Sequence, residues 1–329
     1  MSLFALFLQR VPALLYGVLL FLAGSTVYLF LSFTDVLSWL TGAHWLNAGW
    51  KQPVEYTAAA LVWSGIALGA LDLFVLLPYK RQPDSSEVSR PAPHQLTVVL
   101  TAYNDESSIA HSVRDFLAHP AVRRVLVVDN NSTDQTSGVA ADAGAEVIRE
   151  PRQGYGHCVY RALTEAAAYN DTELTLLCEG DMTFRAHDID KFLAYAGHAE
   201  IVNGTRIVEQ LRARHTQLTT FMYYGNFFVG KLLEAKHIGQ GTLTDVGTTY
   251  KLCWNSALRR LLPLLIPEIN LEFNAHFLDT ALAHRFRVLE CPITFHNRMG
   301  VSKGGNVSNW RALQVGMRMM KGIILGWSR

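Results

Sequence analysis

The sequence predicts an α/β protein with a doubly wound, mostly parallel sheet, preceded by a two-helix membrane hairpin. Three observations predict it. Charge is distributed unevenly: of 29 Lys+Arg and 28 Asp+Glu, only Arg10, Asp35, Lys51, Glu55 and Asp72 fall within residues 1–78. From Leu96 onward, short apolar runs alternate with stretches of helical spacing, the pattern of βα units. Four of those runs end in polar clusters, where ligands of open α/β sheets bind. A formal net charge of +1 excludes the basic footprint of a nucleic-acid binder.

The elements follow in chain order. Pro12–Phe33 is 22 residues without a charge, and Tyr56–Leu77 is 22 residues with Asp72 alone. Each would span about 33 Å as a helix, enough to cross a hydrocarbon core. The first run is too long for a cleaved signal peptide, and a second span follows it. Arg10 precedes the hairpin, Lys80, Arg81 and Arg90 follow it, and the intervening loop has Lys51. The positive-inside rule therefore puts the N-terminus and the following domain in the cytoplasm, as a multi-pass protein of the inner membrane. Trp39, Trp45 and Trp50 suit an interfacial belt on the far side, and Asp72, six residues before Pro78, reads as reaching the near interface. The hairpin occupies 1–79 and a Pro/Ser linker 80–95.

Strands are expected at 96–101, 124–129, 145–148, 174–178 and 199–203, with helices near 106–118, 132–143, 156–169 and 187–195. Ser132-x-x-Gln135 reads as a capping box opening the second helix of that series. Trp310, Leu313, Met317, Met320 and Ile324 recur at steps of three and four, flanked by Arg311, Arg318 and Lys321. That stripe fits either a helix on an anionic membrane surface or a core-packing terminal helix. The four cysteines show no C-x-x-C spacing, so a zinc or redox motif is not indicated, and buried thiols are expected.

The polar clusters are Ala102-Tyr103-Asn104-Asp105, Asp129-Asn130-Asn131-Ser132-Thr133-Asp134, Gln153-Gly154-Tyr155-Gly156 and Glu179-Gly180-Asp181. Singly, each is also what a turn, a helix cap or an exposed loop acid would look like. Together they fall on one edge of one sheet. Two carboxylates one residue apart can share a hard divalent cation that bridges a diphosphate. The glycine pair opens a helix, where backbone N–H groups can face an anion. Neither a P-loop nor a dinucleotide fingerprint occurs.

TAYNDESSI, VVDNNSTDQT, the GYG turn and EGDMTF, in this order, resemble the nucleotide-sugar half of family 2 glycosyltransferases of the GT-A fold. NGTR (203–206), TDVGTTYKL (244–252), EINLEFNAHFLDTALAHRFRVLECPI (268–293) and RMGVSKGG (298–305) are similar to polyprenyl-phosphate sugar synthases. The resemblance covers 96–305 and leaves 306–329 as an amphipathic interfacial helix. It implies a GT-A catalytic domain with a Rossmann-like mixed sheet. It implies that Ala102, Tyr103, Asp105, Asp129, Asn131, Gly154 and Gly156 hold the nucleotide sugar, and that Glu179 and Asp181 hold Mg2+ or Mn2+ and the diphosphate. Two departures stand out. Glu179 occupies a position that is usually Asp, so its carboxylate reaches one methylene further, and Thr183 replaces a frequent Gln.

What the resemblance implies about activity is transfer of a sugar, with inversion, from a nucleotide-diphosphate sugar to a polyprenyl phosphate at the cytoplasmic membrane face. A phosphate monoester is largely ionised at neutral pH, so this acceptor needs cations rather than a general base. Arg206, Arg214, Arg298 and Lys303 are the candidate clamps, with Ser302 as a neutral donor; Asp245 and Glu272 match acidic positions lining the acceptor cleft, where a structural ion pair is an equal reading. Asp181, Asp245 and Arg206 form the candidate catalytic set. The alternative is transfer to a hydroxyl of a lipid-linked glycan or glycolipid. A processive synthase is disfavoured by the lack of Q-x-x-R-W and by only two spans, and an inactive scaffold by the intact carboxylates. A homo-oligomer is compatible with the hairpin.

Overall fold

The computed structural model describes residues 10–42, 49–81, 95–208, 211, 216, 218–300 and 308–328. It forms two compact units: Met1–Gln82 with Ala235–Gly239, and Pro83–Glu234 with Gln240–Arg329.

The first unit is a helical hairpin. Helix α1 (Ala13–Thr41) ends on Gly42, whose φ of +67° suits a residue without Cβ. Helix α2 (Lys51–Leu71) continues through a π turn at Asp72–Leu76 into a last turn, Leu77–Lys80. The two apolar helices are therefore 29 and 30 residues long, with a mean hydropathy of 2.1 over their most apolar windows. Both extend beyond the apolar runs read from the sequence. Small residues bring the two backbones together. A Cβ on Gly65 would lie 2.6 Å from the Gly17 carbonyl oxygen, and one on Gly24 would lie 2.6 Å from that of Ala58. Leu29, Phe30, Phe33, Trp63 and Phe74 point outward and are exposed.

Asp72 is fully buried within the hairpin. Its Oδ1 faces Lys80 Nζ at 2.5 Å, and its Oδ2 accepts from the Leu14 N–H at 2.6 Å. That amide is one of the donors a helix start leaves unpaired. Lys80 Nζ also donates to the Val11 carbonyl, so the ion pair ties the end of one helix to the start of the other.

The second unit is built on a seven-stranded sheet of order β3-β2-β1-β4-β6-β5-β7. Its strands are β1 (Leu96–Ala102), β2 (Val122–Asp129), β3 (Glu146–Arg149), β4 (Leu174–Glu179), β5 (Ile201–Thr205), β6 (Lys251–Trp254) and β7 (Val288–Pro292). β1, β2, β3 and β4 pair in parallel, β6 runs antiparallel to both β4 and β5, and β5 and β7 are parallel. The sheet is thus mixed and mostly parallel. Every residue of β1 is buried, as a strand covered on both faces requires.

Covering helices are α3 (Glu106–Leu117), α4 (Thr136–Asp142), α5 (Tyr155–Ala168), α6 (Ile189–Ala196), α7 (Thr220–Lys236), α8 (Asn255–Leu261), α9 (Phe273–Ala283) and α10 (Asn309–Leu325). The capping box expected at Ser132 does not form. α4 starts at Thr136, the Ser132 hydroxyl accepts from Asn104 N, and Gln135 N donates to Glu106. Both groups tie this loop to the one after β1 instead. The four cysteines are buried without disulfides, and burial raises their thiol pKa values.

On α10, Val315, Met319 and Ile323 are buried, whereas Trp310, Leu313 and Met317 are exposed. Packing thus uses a neighbouring face, and much of the stripe read from the sequence remains outside.

Candidate active site

The polar clusters meet at the carboxyl edge of β1, β2 and β4. Asn104, at φ +51°, accepts from Thr133 N at 2.8 Å and so joins the loops after β1 and β2. Asp105 Oδ2 accepts from Tyr103 N at 3.0 Å, a bond that shapes this turn. Ala102, Tyr103 and Asp105 line a cavity of about 790 Å³. Asp129 is turned to another task. Its two oxygens accept from Ser132 N at 2.9 Å and Ser137 Oγ at 2.5 Å, and it is buried. Asn131, at φ +63°, accepts from Arg149 at 3.0 Å. Neither Asp129 nor Asn131 lines the cavity, whereas Asn130 does. Asn130 Oδ1 accepts from Gly154 N at 2.9 Å.

Two of the amides at the glycine turn are already engaged. Gly154 N is taken by Asn130, and Tyr155 N donates to Asn270 Oδ1 at 2.7 Å. Gly154 needs its φ of +141°. Gly156 is required by proximity, since a Cβ there would lie 1.7 Å from the Ile269 carbonyl oxygen. Gly154 lines the cavity; Gly156 lets α5 dock against the chain before α9.

Glu179 and Asp181 stand at the end of β4. Burial, and then the nearby negative charge of Asp181, raise the Glu179 carboxyl from 4.5 to about 7. Asp181 is buried; its Oδ1 accepts from Thr183 N at 3.0 Å and from Thr183 Oγ1 at 2.5 Å. Its Oδ2 has no aligned hydrogen bond and lies 3.1 Å from Arg298 Nη1. The other end of the Arg298 fork is 3.4 Å from Asp105 Oδ1. Arg298 thus bridges the acids after β1 and β4. Two crowded carboxylates, one with a buried oxygen that takes no aligned hydrogen bond, fit a divalent cation. Among the described residues, no group of three or more His, Cys, Asp and Glu converges, so this pair would need ligand or water oxygens to complete a coordination shell.

Arg206 and Asp245 form a buried, two-point ion pair. Arg206 Nε and Nη2 donate to Asp245 Oδ2 and Oδ1 at 2.7 and 2.8 Å, and Gly247 N donates to Oδ1 at 3.1 Å. Burial, the largest single influence, raises the Asp245 carboxyl, but the Arg206 charge together with the hydrogen bonds from Arg206 and Gly247 N holds the group below its ordinary value. Arg206 lines the cavity and Asp245 lies behind it. Glu272 does not line the cavity either; it accepts from Arg318 Nε of α10 and so moors that helix. Arg214, Ser302 and Lys303 lie outside the described residues.

The cavity also has apolar walls. Phe221, Phe228 and Val229 of α7 face it, as do Leu313, Val315, Met319 and Met320 of α10. Thr249 and Asn274 also line it and were not singled out within TDVGTTYKL and EINLEFNAHF: the antiparallel return of β6 and the start of α9 bring them in. Asn130 carried a signal, because it directly follows a strand in the second polar cluster.

Comparison with known proteins agrees with this arrangement. Residues 97–262 match the model of the family described as glycosyl transferase family 2. An uncharacterized glycosyltransferase of Mycobacterium tuberculosis is 40% identical over 112 residues, 34% of this chain and 48% of that protein. The chain thus spans about half the length of that curated relative. A dolichyl-phosphate hexose transferase of Haloferax volcanii is 25% identical over 209 residues, covering 63% of this chain and 86% of its own. Among solved structures, glucosyl-3-phosphoglycerate synthase from Mycobacterium tuberculosis, in complex with Mn2+ and UDP-glucose, superposes with a TM-score of 0.51 at 15% identity, covering 73% and 86% of the two chains. That likeness speaks for the GT-A fold alone. With the family model matching half of its length and the sheet edge assembled as described, the chain belongs to glycosyltransferase family 2.

Proposed function

We propose that the protein transfers a sugar, with inversion, from a nucleotide-diphosphate sugar to a polyprenyl phosphate at the cytoplasmic face of a membrane. One observation carries this reading. A single cavity is lined by the polar strand edge, by Arg206 and Arg298, and by apolar side chains of α7 and α10. A nucleotide and its sugar suit the polar lining, and a hydrocarbon chain suits the apolar one. The name of the Haloferax volcanii relative supports the same acceptor class.

In this reading Ala102, Tyr103 and Asp105 hold the nucleoside, while Asp129, Asn131, Gly154 and Gly156 keep the surrounding loops in shape. Glu179 and Asp181 would hold Mg2+ or Mn2+, whose charge would offset that of the diphosphate leaving group. Arg206 and Arg298 grip the acceptor phosphate, with Arg214, Ser302 and Lys303 as further contacts. Asp245 orients Arg206, and Glu272 keeps α10 in place. An ionised phosphate attacks without a base, which suits an Asp245 whose oxygens are already engaged. The hairpin spans the membrane, and exposed Trp310 and Met317 of α10, beside Arg311, Arg318 and Lys321, rest on its anionic surface.

The test uses purified full-length protein, a panel of nucleotide sugars and undecaprenyl phosphate, with the lipid product read by mass. A lipid-phosphate hexose is expected. Nucleotide release that depends on a hydroxyl acceptor, with lipid phosphate left unmodified, would replace this reading by transfer to a lipid-linked glycan.

A further inference from the structure

The Glu179 carboxylate is approached by a file of side chains that the proposed chemistry leaves unused. Thr249 Oγ1 donates to Glu179 Oε1 at 2.7 Å. The Tyr155 hydroxyl is 2.5 Å from Thr249 Oγ1, and Asn274 Nδ2 donates to that tyrosine oxygen at 2.9 Å. Lys251 Nζ donates to Asn274 Oδ1 at 3.2 Å and also to the Thr248 carbonyl. The four residues come from α5, from β6 and the turn before it, and from the first turn of α9.

The chemistry of the ends sets the direction of the file. Asn274 Nδ2 also donates to the Gly247 carbonyl at 3.3 Å, which can only accept, and a Glu179 that holds a cation is ionised and likewise only accepts. With its oxygen toward Lys251, the Asn274 amide must present N–H to Tyr155. The tyrosine hydroxyl, kept protonated by burial, then gives its hydrogen to Thr249, and Thr249 gives its own to Glu179. Every donor points the same way, so each bond polarises the next toward the carboxylate.

We propose that Tyr155, Thr249, Asn274 and Lys251 are positioning residues that aim the Glu179 carboxylate at the donor site, and that the added methylene of glutamate is what lets this carboxylate reach Thr249. The inference rests on the reading that Glu179 and Asp181 hold a divalent cation.

The experiment measures Mn2+ binding to the full-length protein in detergent, from loss of the free-ion electron paramagnetic resonance signal, with thermal unfolding alongside. Thr249→Val is expected to weaken Mn2+ binding roughly tenfold, the scale of one hydrogen bond to a charged group, and Tyr155→Phe, which removes bonds between neutral groups, roughly fivefold. Thr249→Ser, which keeps the hydroxyl, stays within about twofold of the parent. In a Glu179→Asp background the shorter acid no longer reaches Thr249, so Thr249→Val adds less than about twofold. Equal losses in both backgrounds would make Thr249 a mere brace for β6 and overturn the proposal, as would unchanged Mn2+ binding in Tyr155→Phe and Thr249→Val. A parent protein that binds no Mn2+ would refute the cation reading and the relay together; one that binds with every variant unaffected would refute the relay alone.

Discussion

Replacing Asp245 with asparagine removes the negative charge that faces Arg206 inside the domain. The side chains are 0% and 8% exposed, so water cannot compensate for the loss. Removing one partner of a buried ion pair costs about 3–5 kcal/mol, because the other charge is left without its counter-ion. Asparagine keeps one acceptor oxygen for the guanidinium, which puts the cost near the lower bound, about 3 kcal/mol. For a domain of this size that lowers the unfolding midpoint by about 6–12 °C. The assay is thermal unfolding of the detergent-solubilised protein, with turnover measured on the same samples below the transition. Turnover should fall as well, since an unpaired Arg206 no longer holds its place at the cavity. The double replacement Arg206→Met with Asp245→Asn should recover part of the stability and none of the transfer, since no unpaired charge stays buried and the amide oxygen can still accept from backbone N–H at this turn. An Asp245→Asn protein with a midpoint within about 2 °C of the parent, yet without turnover, would refute this account. Asp245 would then be acting as a base, and a hydroxyl acceptor would follow.

Further outcomes are expected elsewhere in the second unit. His276 accepts from Ile266 N at 2.9 Å through Nε2, and burial lowers its pKa from 6.5 to about 4, so it is neutral in the fold. The unfolded chain takes up the proton first, so the stability is fully present above pH 6.5 and is lost as pH falls toward about 4, at up to about 1.4 kcal/mol per unit; denaturant midpoints of His276→Gln should lack that slope, and identical slopes would refute it. Trp310→Glu with Met317→Glu alters only exposed positions on α10, so unfolding should shift by less than about 1 kcal/mol while the KM for long-chain lipid phosphate rises several-fold. A parallel loss of nucleotide-sugar affinity would show that this face belongs to the core. Gly156→Ala places a Cβ 1.7 Å from the Ile269 carbonyl oxygen and should cost about 1–3 kcal/mol or more, read as a lowered unfolding midpoint.

The repeating βα half of the domain was legible because its signals are local. An apolar run such as LTVVLT can be buried on both faces only as a central strand, and the residue after it must fall on the ligand edge. β6 and β7 were not legible as strands. Lys251–Trp254 is four residues long and begins with a buried lysine, and its burial is decided by β4 and β5 on either side. The Ser132 capping signal misled for a related reason: the loop after β1 offered its hydroxyl and the neighbouring amides nearer partners.

The arginines came from resemblance to a known family; from the sequence by itself came the two apolar helices, the alternating domain, and the carboxylates that fall on one edge. Residue type, spacing and periodicity determine those, because each is a property of a few neighbouring positions. Only the tertiary structure decided which polar groups face the cavity and which are spent on one another. Asp129 serves its own turn, Asp245 is consumed by Arg206, Glu272 moors α10, and Thr249 and Asn274 arrive from distant segments to reach Glu179 and Tyr155. A buried polar group must find a partner wherever the packed chain supplies one, and that partner is set by the fold rather than by separation along the sequence.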